Sequence, residues 1–134
     1  MAKLYGAVLA ILTELASNHL TAVSEGEYAS KKSLECIKSA TRYIRENYRS
    51  KITLEELAKV VLVDKYTLCR LFKKVTGQTV FEYLNRTRCL MAAEQIAEGA
   101  TVTEAALASG YESLSYFAKS FKKYVGDLPS KYKK

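Results

Sequence analysis

The sequence predicts an all-α protein, and three observations carry the prediction. Apolar residues recur at three- and four-residue steps along most of the chain, and no alternating stretch is long enough to read as a strand. Helix-start signals of the form Thr-x-x-Glu stand at Thr53, Thr79 and Thr101. The stretch LCRLFKKVTG, residues 68–77, returns forty-nine positions later as FAKSFKKYVG, residues 117–126. A short chain that writes Phe-Lys-Lys-x-x-Gly twice contains a repeated structural unit.

The elements follow in order. A first helix near residues 3–18 puts Leu4, Val8, Ile11, Leu12 and Leu15 on one face, and the polar stretch from Thr21 to Ser30 reads as a linker. From Ser33 to about Asn47, Leu34, Ile37, Thr41, Ile44 and Tyr48 form a stripe that a helix would bury, with Arg42, Arg45 and Arg49 on its other sides. Then come the pairs Thr53/Glu56, Thr79/Glu82 and Thr101/Glu104. In each, the hydroxyl can accept from a first-turn N–H while the carboxylate reaches back to the N–H of the cap. Asp64 and Ser113 are simpler caps for two further helices. Gly77 and Gly126 suit the left-handed position that ends a helix, and Pro129 suits the first turn of a short terminal one.

These signals are periodic. Thr53, Glu56 and Ala58 match Thr101, Glu104 and Ala106 at an offset of 48, whereas Leu68, Phe72 and Gly77 match Phe117, Phe121 and Gly126 at 49, so one residue is added in between. Each unit is a short capped helix, a tight turn and a longer basic helix, the layout of a helix-turn-helix. Leu62 and Gly110 fall at the same place in the two turns; glycine takes a positive φ freely and leucine at a cost. A helix from Thr79 to about Ala97 joins the units, which span about 53–77 and 101–126. The domain division is therefore an N-terminal helix and linker, 1–30, and a helical domain, 31–134.

On a helical wheel Leu68, Leu71, Phe72 and Val75 gather on one side, with Tyr66, Cys69, Arg70 and Lys73 opposite. The second copy sets Phe117, Phe121, Tyr124 and Val125 against Ser115, Ala118, Lys119 and Lys122. Taken alone, a helix with one apolar and one basic side is an ordinary solvated surface helix. Solubility, however, does not order charges, and here cap, turn, anchor and basic stripe occur twice in the same order. If each second helix lies in a major groove, the doubled lysines Lys73, Lys74, Lys122 and Lys123 stand where phosphates pass.

Composition excludes other classes. The 134 residues hold 21 Lys and Arg against 14 Asp and Glu, a net charge of +7, which favours an anionic partner. Residues 1–30 carry one Lys and three Glu, so the excess lies later in the chain. Cys36, Cys69 and Cys89 make no CxxC pair and have only His19 for company, so neither a disulfide framework, a metal site nor a Cys-His catalyst is expected. Free thiols suit a reducing cytoplasm. Glu14 interrupts the N-terminal apolar run before it could span a bilayer, and no membrane segment is expected. Gly-rich phosphate loops and HExxH patterns are missing, so no enzyme activity and no cofactor is assigned.

The segments TLEELA, DKYTLCRLFKKVTGQTVFEYLNRTRCLMAAEQIAEG and TEAALASGYESLSYFAKSFKKYVGDLPSKY resemble the C-terminal DNA-binding domain of the AraC/XylS family of bacterial transcription regulators, from about residue 34 to 134. RLFKKVTG, EYLNRTR and GYESLSYFAKSFKKYVGDLPSKY are the most diagnostic pieces. The resemblance implies a seven-helix domain, two helix-turn-helix units joined by a long linker helix, and two recognition helices in successive major grooves of double-stranded DNA. It places base contacts at Tyr66, Cys69 and Arg70 in the first unit and at Leu114, Ser115, Ala118 and Lys119 in the second. Arg70 can pair bidentately with guanine or grip a phosphate, Ser115 can bond several bases, and Ala118 can touch a thymine methyl. Leu114 brings no hydrogen bond, and Lys119 stands where family members often have Arg, a sharper reader. The first unit is therefore expected to contribute more of the direct readout.

Family members commonly join this module to a separate effector-binding or dimerisation domain. Residues 1–30 read either as the tail of such a domain or as a helical extension of a short regulator. RNA polymerase is a further partner that the resemblance leaves open. A reading from a different class is a helical protein-interaction module that docks through the N-terminal apolar helix and the basic faces.

Overall fold

The structure, a computed structural model, describes residues 25–132. Among these, six α-helices follow one another with no strand: α1 (Glu25–Asn47), α2 (Leu54–Val61), α3 (Lys65–Thr76), α4 (Val80–Ala97), α5 (Val102–Ala108) and α6 (Leu114–Val125). A 3-10 helix, Pro129–Tyr132, closes the described chain. The seven-helix expectation is thereby corrected to six α-helices and one 3-10 turn. Pro129 holds the φ of a first turn, and the turn it opens is 3-10 rather than α. The helix expected at residues 3–18 lies outside the described residues.

The stretch read as a linker is partly helical, since α1 begins at Glu25 rather than near Ser33. Gly26 sits in the first turn, where glycine is tolerated, and EYASKK after it contains no breaker.

The described chain divides into two compact units. The first comprises α1 up to Tyr43 together with 53–80, and the second comprises 44–52 with the chain from Phe81 onward. In the first, Ile37 and Ala40 of α1, Leu57 and Ala58 of α2, and Leu68 and Phe72 of α3 are buried. Tyr43 Oη of α1 donates to Glu56 Oε2 of α2 at 2.8 Å. That bond corrects the expected capping box at Thr53. Thr53 Oγ1 does accept from Glu56 N at 3.1 Å, but the carboxylate turns to the tyrosine instead of the cap. The box closes in full at Thr101, whose hydroxyl accepts from Glu104 N while Thr101 N donates to Glu104 Oε2.

In the second unit α4 buries Tyr83, Leu84, Cys89, Leu90, Ala92, Ala93 and Ile96, more than one stripe. Ala105 and Ala106 of α5 and Phe117 and Phe121 of α6 complete this core. Aromatic edges connect it: Tyr111 to Phe117 at 5.0 Å, Phe117 to Phe121 at 5.5 Å and Phe121 to Tyr132 at 5.3 Å between ring centroids.

Candidate nucleic-acid interface

Both second helices start from a side-chain cap and stop at a left-handed glycine. Asp64 Oδ1 accepts from Thr67 N at 2.9 Å, and Asp64 Oδ2 accepts from Thr67 Oγ1 at 2.7 Å. These bonds hold the Asp64 carboxyl below its ordinary value, the Thr67 hydroxyl being the largest cause. Ser113 Oγ accepts from Tyr116 N at 3.2 Å. Gly77 (φ +78) and Gly126 (φ +99) end α3 and α6, each returning an N–H to the carbonyl four residues back.

The turns that aim these helices are closed by the same bonds. Val63 N donates to Ala58 O at 3.1 Å and Tyr111 N to Ala106 O at 3.0 Å, the six-to-one bond that reverses a chain after a helix. Leu62 (φ +59) and Gly110 (φ +96) hold the left-handed positions, as the sequence repeat implied. The residue added in the second copy is Glu112, exposed between Tyr111 and the cap Ser113.

Burial sorts the two faces of each helix. In α3, Leu68 and Phe72 are fully buried, while Tyr66, 77 % exposed, Cys69, Arg70, Lys73 and Lys74 face outward. In α6, Phe117 and Phe121 are fully buried; Leu114, Ser115, Lys119, Lys122 and Lys123 are exposed, and Ala118 is half-buried. Ala118 projects too little to reach as far as its neighbours. The residues singled out from the sequence are thus exposed except for half-buried Ala118, and Leu114, seven residues before Phe121, shares that residue's side of the helix rather than the basic side. The cation of Lys65 lies 5.5 Å from the Tyr66 ring, at the start of the first strip.

Residues away from these strips hold the second helix-turn-helix in place, and local sequence patterns do not reveal them. Arg88 of α4 donates from Nε to Tyr48 O at 2.7 Å and from Nη2 to Ser50 O at 3.0 Å, meeting carbonyls just past the end of α1. Burial pulls its pKa below the ordinary value, with the nearby Tyr111 opposing the shift. Asn85, three residues before Arg88, receives the Tyr111 hydroxyl on Oδ1 and sends Nδ2 to Tyr116 Oη and Ser120 Oγ, both at 3.1 Å. Burial raises the Tyr111 hydroxyl well above its usual range, so it stays a donor. Burial also pushes the Cys89 thiol up to about 11, which leaves it an inert core group. The partners of Asn85 and Arg88 lie 26 to 40 residues away, beyond any helical period. The EYLNRTR motif that contains both residues was the only signal available.

A tri-helical anchor with an exposed polar helix, occurring twice, defines the class of helix-turn-helix proteins. The family model for a helix-turn-helix domain matches residues 57–134. The activator AarP of Providencia stuartii, an HTH-type transcriptional activator, is 33% identical over 92 residues, covering 68% of this chain and 68% of its own. AdaA of Bacillus subtilis, a bifunctional transcriptional activator and DNA repair enzyme, is 31% identical over 100 residues, covering 74% of this chain and 47% of its own. The chain thus spans about half the length of that relative. A probable AraC family transcriptional regulator from Rhodopseudomonas palustris superposes with a TM-score of 0.69 at 27% identity, covering 73% of this chain and 94% of that one. The chain belongs to the AraC/XylS family. Among the described residues no helix is long and apolar enough to cross a membrane.

Proposed function

We propose that this chain is a sequence-specific DNA-binding module that regulates transcription, inserting α3 and α6 into successive major grooves of one duplex. The observation that carries the reading is the repeated division of these helices: Leu68/Phe72 and Phe117/Phe121 are buried to the last few per cent, while cations and small polar groups occupy the opposite strip. Burial on one side fixes the orientation of the other, which is what base readout needs.

Within this reading Tyr66, Cys69 and Arg70 are the base contacts of the first helix, and Leu114, Ser115, Ala118 and Lys119 those of the second. Lys73, Lys74, Lys122 and Lys123 neutralise phosphates. The module performs no catalysis itself and works in the cytoplasm, where its DNA is; the repair activity named for AdaA has no counterpart among the roles assigned to this chain. RNA polymerase and an effector or dimerisation domain are the partners such a module would need to act on transcription. The test is an electrophoretic titration at two salt concentrations against duplexes selected from a random pool and against unselected DNA. The proposal requires tighter binding to the selected pool and a steep loss of affinity with salt. Equal affinity for both pools would remove sequence specificity from the account.

A further inference from the structure

A groove of about 280 Å³ beside α6 is lined by Phe81, Glu82, Asn85, Tyr116, Lys119 and Lys123, among others. Tyr116 is 57 % exposed there, and its hydroxyl is the outer end of a chain of side-chain bonds that runs through Asn85 to Tyr111. Tyr111 Oη has one proton. This hydroxyl lies within reach of Asn85 O and Cys89 Sγ, both at 3.1 Å, and the amide of Asn85 presents Oδ1, an acceptor, to the same hydroxyl. The two hydrogens of Nδ2 then serve Tyr116 Oη and Ser120 Oγ, both at 3.1 Å. Tyr116 Oη is thereby an acceptor toward the protein, and its own proton must be donated outward. Among the described residues that proton has no acceptor.

Tyr116 is placed for an anion. Lys119 and Lys123 follow it at three and seven residues, on the same edge of the helix, so donor and cations form one line beside Ser115. Glu82 across the groove disfavours a ligand that would fill it, but not one that passes along the outer edge. The corresponding residue in the first unit, Thr67, behaves oppositely, since its hydroxyl donates inward to Asp64 at 2.7 Å.

We infer that Tyr116, positioned by Asn85, is a neutral hydrogen-bond donor to a backbone phosphate of the DNA bound by α6. This rests on the DNA-binding reading above. A neutral donor has a signature that a lysine lacks: it contributes affinity without displacing a counterion. Tyr116→Phe removes only the outward donor and keeps the ring, which packs at 6.2 Å against Tyr111. Binding to selected and unselected duplexes should weaken alike, by about 10-fold or more, as for loss of a hydrogen bond to a charged group. The slope of log affinity against log salt and the melting midpoint should stay at their wild-type values. Asn85→Asp reverses the inner bond, so that Tyr116 donates to the new carboxylate. Its cost in binding should be smaller in the Tyr116→Phe background than in the wild type, a coupling that the added charge cancels out of.

Wild-type affinity of Tyr116→Phe for both duplexes would overturn the inference and leave the DNA-binding reading standing. Loss confined to the selected duplex would overturn it too, by making Tyr116 a base contact. Failure of the wild-type protein to bind any duplex would instead sink the reading on which the inference rests.

Discussion

The two helix-turn-helix units share a plan and differ in how tightly it is held. In the first, the left-handed residue of the turn is Leu62, 89 % exposed, and the cap is a carboxylate whose hydroxyl partner is also local. In the second, the left-handed residue is Gly110, and a Cβ there would stand 2.9 Å from Tyr48 O, 3.0 Å from Arg88 Nε and 3.1 Å from Arg49 O. Arg88 binds the same Tyr48 carbonyl. The second turn is thus wedged against the chain past α1, whereas the first is open to solvent. The reading strips differ in the reverse sense. Tyr66, Cys69 and Arg70 offer reach and directed donors, while Leu114, Ser115, Ala118 and Lys119 offer one hydroxyl, one point charge and two apolar groups. Within the proposed function, the wedged unit carries the modest face and the open unit the rich one, and we propose that the second serves position and the first sequence.

Breaking the wedge should have the largest effect. Gly110→Val imposes both a left-handed β-branched residue and a collision with backbone carbonyls, and should destabilise by about 2 to 4 kcal/mol. Leu62→Gly relieves strain but loosens the unfolded chain, so its stability should stay within about 0.5 kcal/mol of wild type. Thermal melts of the two variants side by side check the contrast, and equal shifts would show that the second turn is no tighter than the first.

The division of readout is tested by Arg70→Ala. It should cost about 1 to 3 kcal/mol on a selected site and much less on unrelated DNA. Lys119→Ala should weaken both more evenly, because a point charge discriminates bases poorly. If Arg70→Ala lowers both equally and the selected sequence is unchanged, Arg70 holds a phosphate and Tyr66, Cys69 or DNA shape must carry the specificity. For the doubled lysines the two units should behave alike. Lys73→Ala and Lys122→Ala should each reduce the magnitude of the salt slope by about 0.9, read from titrations over a range of salt. A slope unchanged in one of them removes that lysine from the phosphate contacts.

The smallest effect separates the caps. The Asp64 carboxyl is depressed in the folded protein, so its capping contribution is full above the ordinary carboxylate range and is lost as pH falls through the lowered value. Ser113 does not titrate. The protection factor of the Thr67 amide, bonded to Asp64, should therefore fall on acidification relative to that of the Tyr116 amide, bonded to Ser113. A parallel loss of protection at both would mean that acid loosens the units together rather than through the cap.

What the chain made legible was local. Leu68, Phe72, Phe117 and Phe121 announce their burial because a helix repeats every 3.6 residues, and Gly110 announces a turn because its equivalent recurs at a fixed offset. The start of α1 lies earlier than the sequence suggests because the polar stretch up to Ser30, Gly26 included, reads as a linker, whereas Gly26 falls in the first turn and is tolerated there. Glu56 looked like half of a capping box, and only the fold brings Tyr43 to it, 13 residues away in sequence. The bonds of Asn85 and Arg88 were hidden for the same reason. The strips proposed for DNA are thus drawn from periodicity and resemblance, while the supports behind the second strip needed the tertiary structure.

The central claim is that one chain reads two grooves with two unlike helices. Hydroxyl-radical and guanine-methylation footprinting of the monomeric complex on a selected duplex tests it most directly. The account predicts two protected windows about 10 base pairs apart on one face of the DNA, with Arg70→Ala erasing base protection in one window and leaving the other. A single protected groove per bound chain, or loss of both windows together in Arg70→Ala at saturating protein, would contradict it.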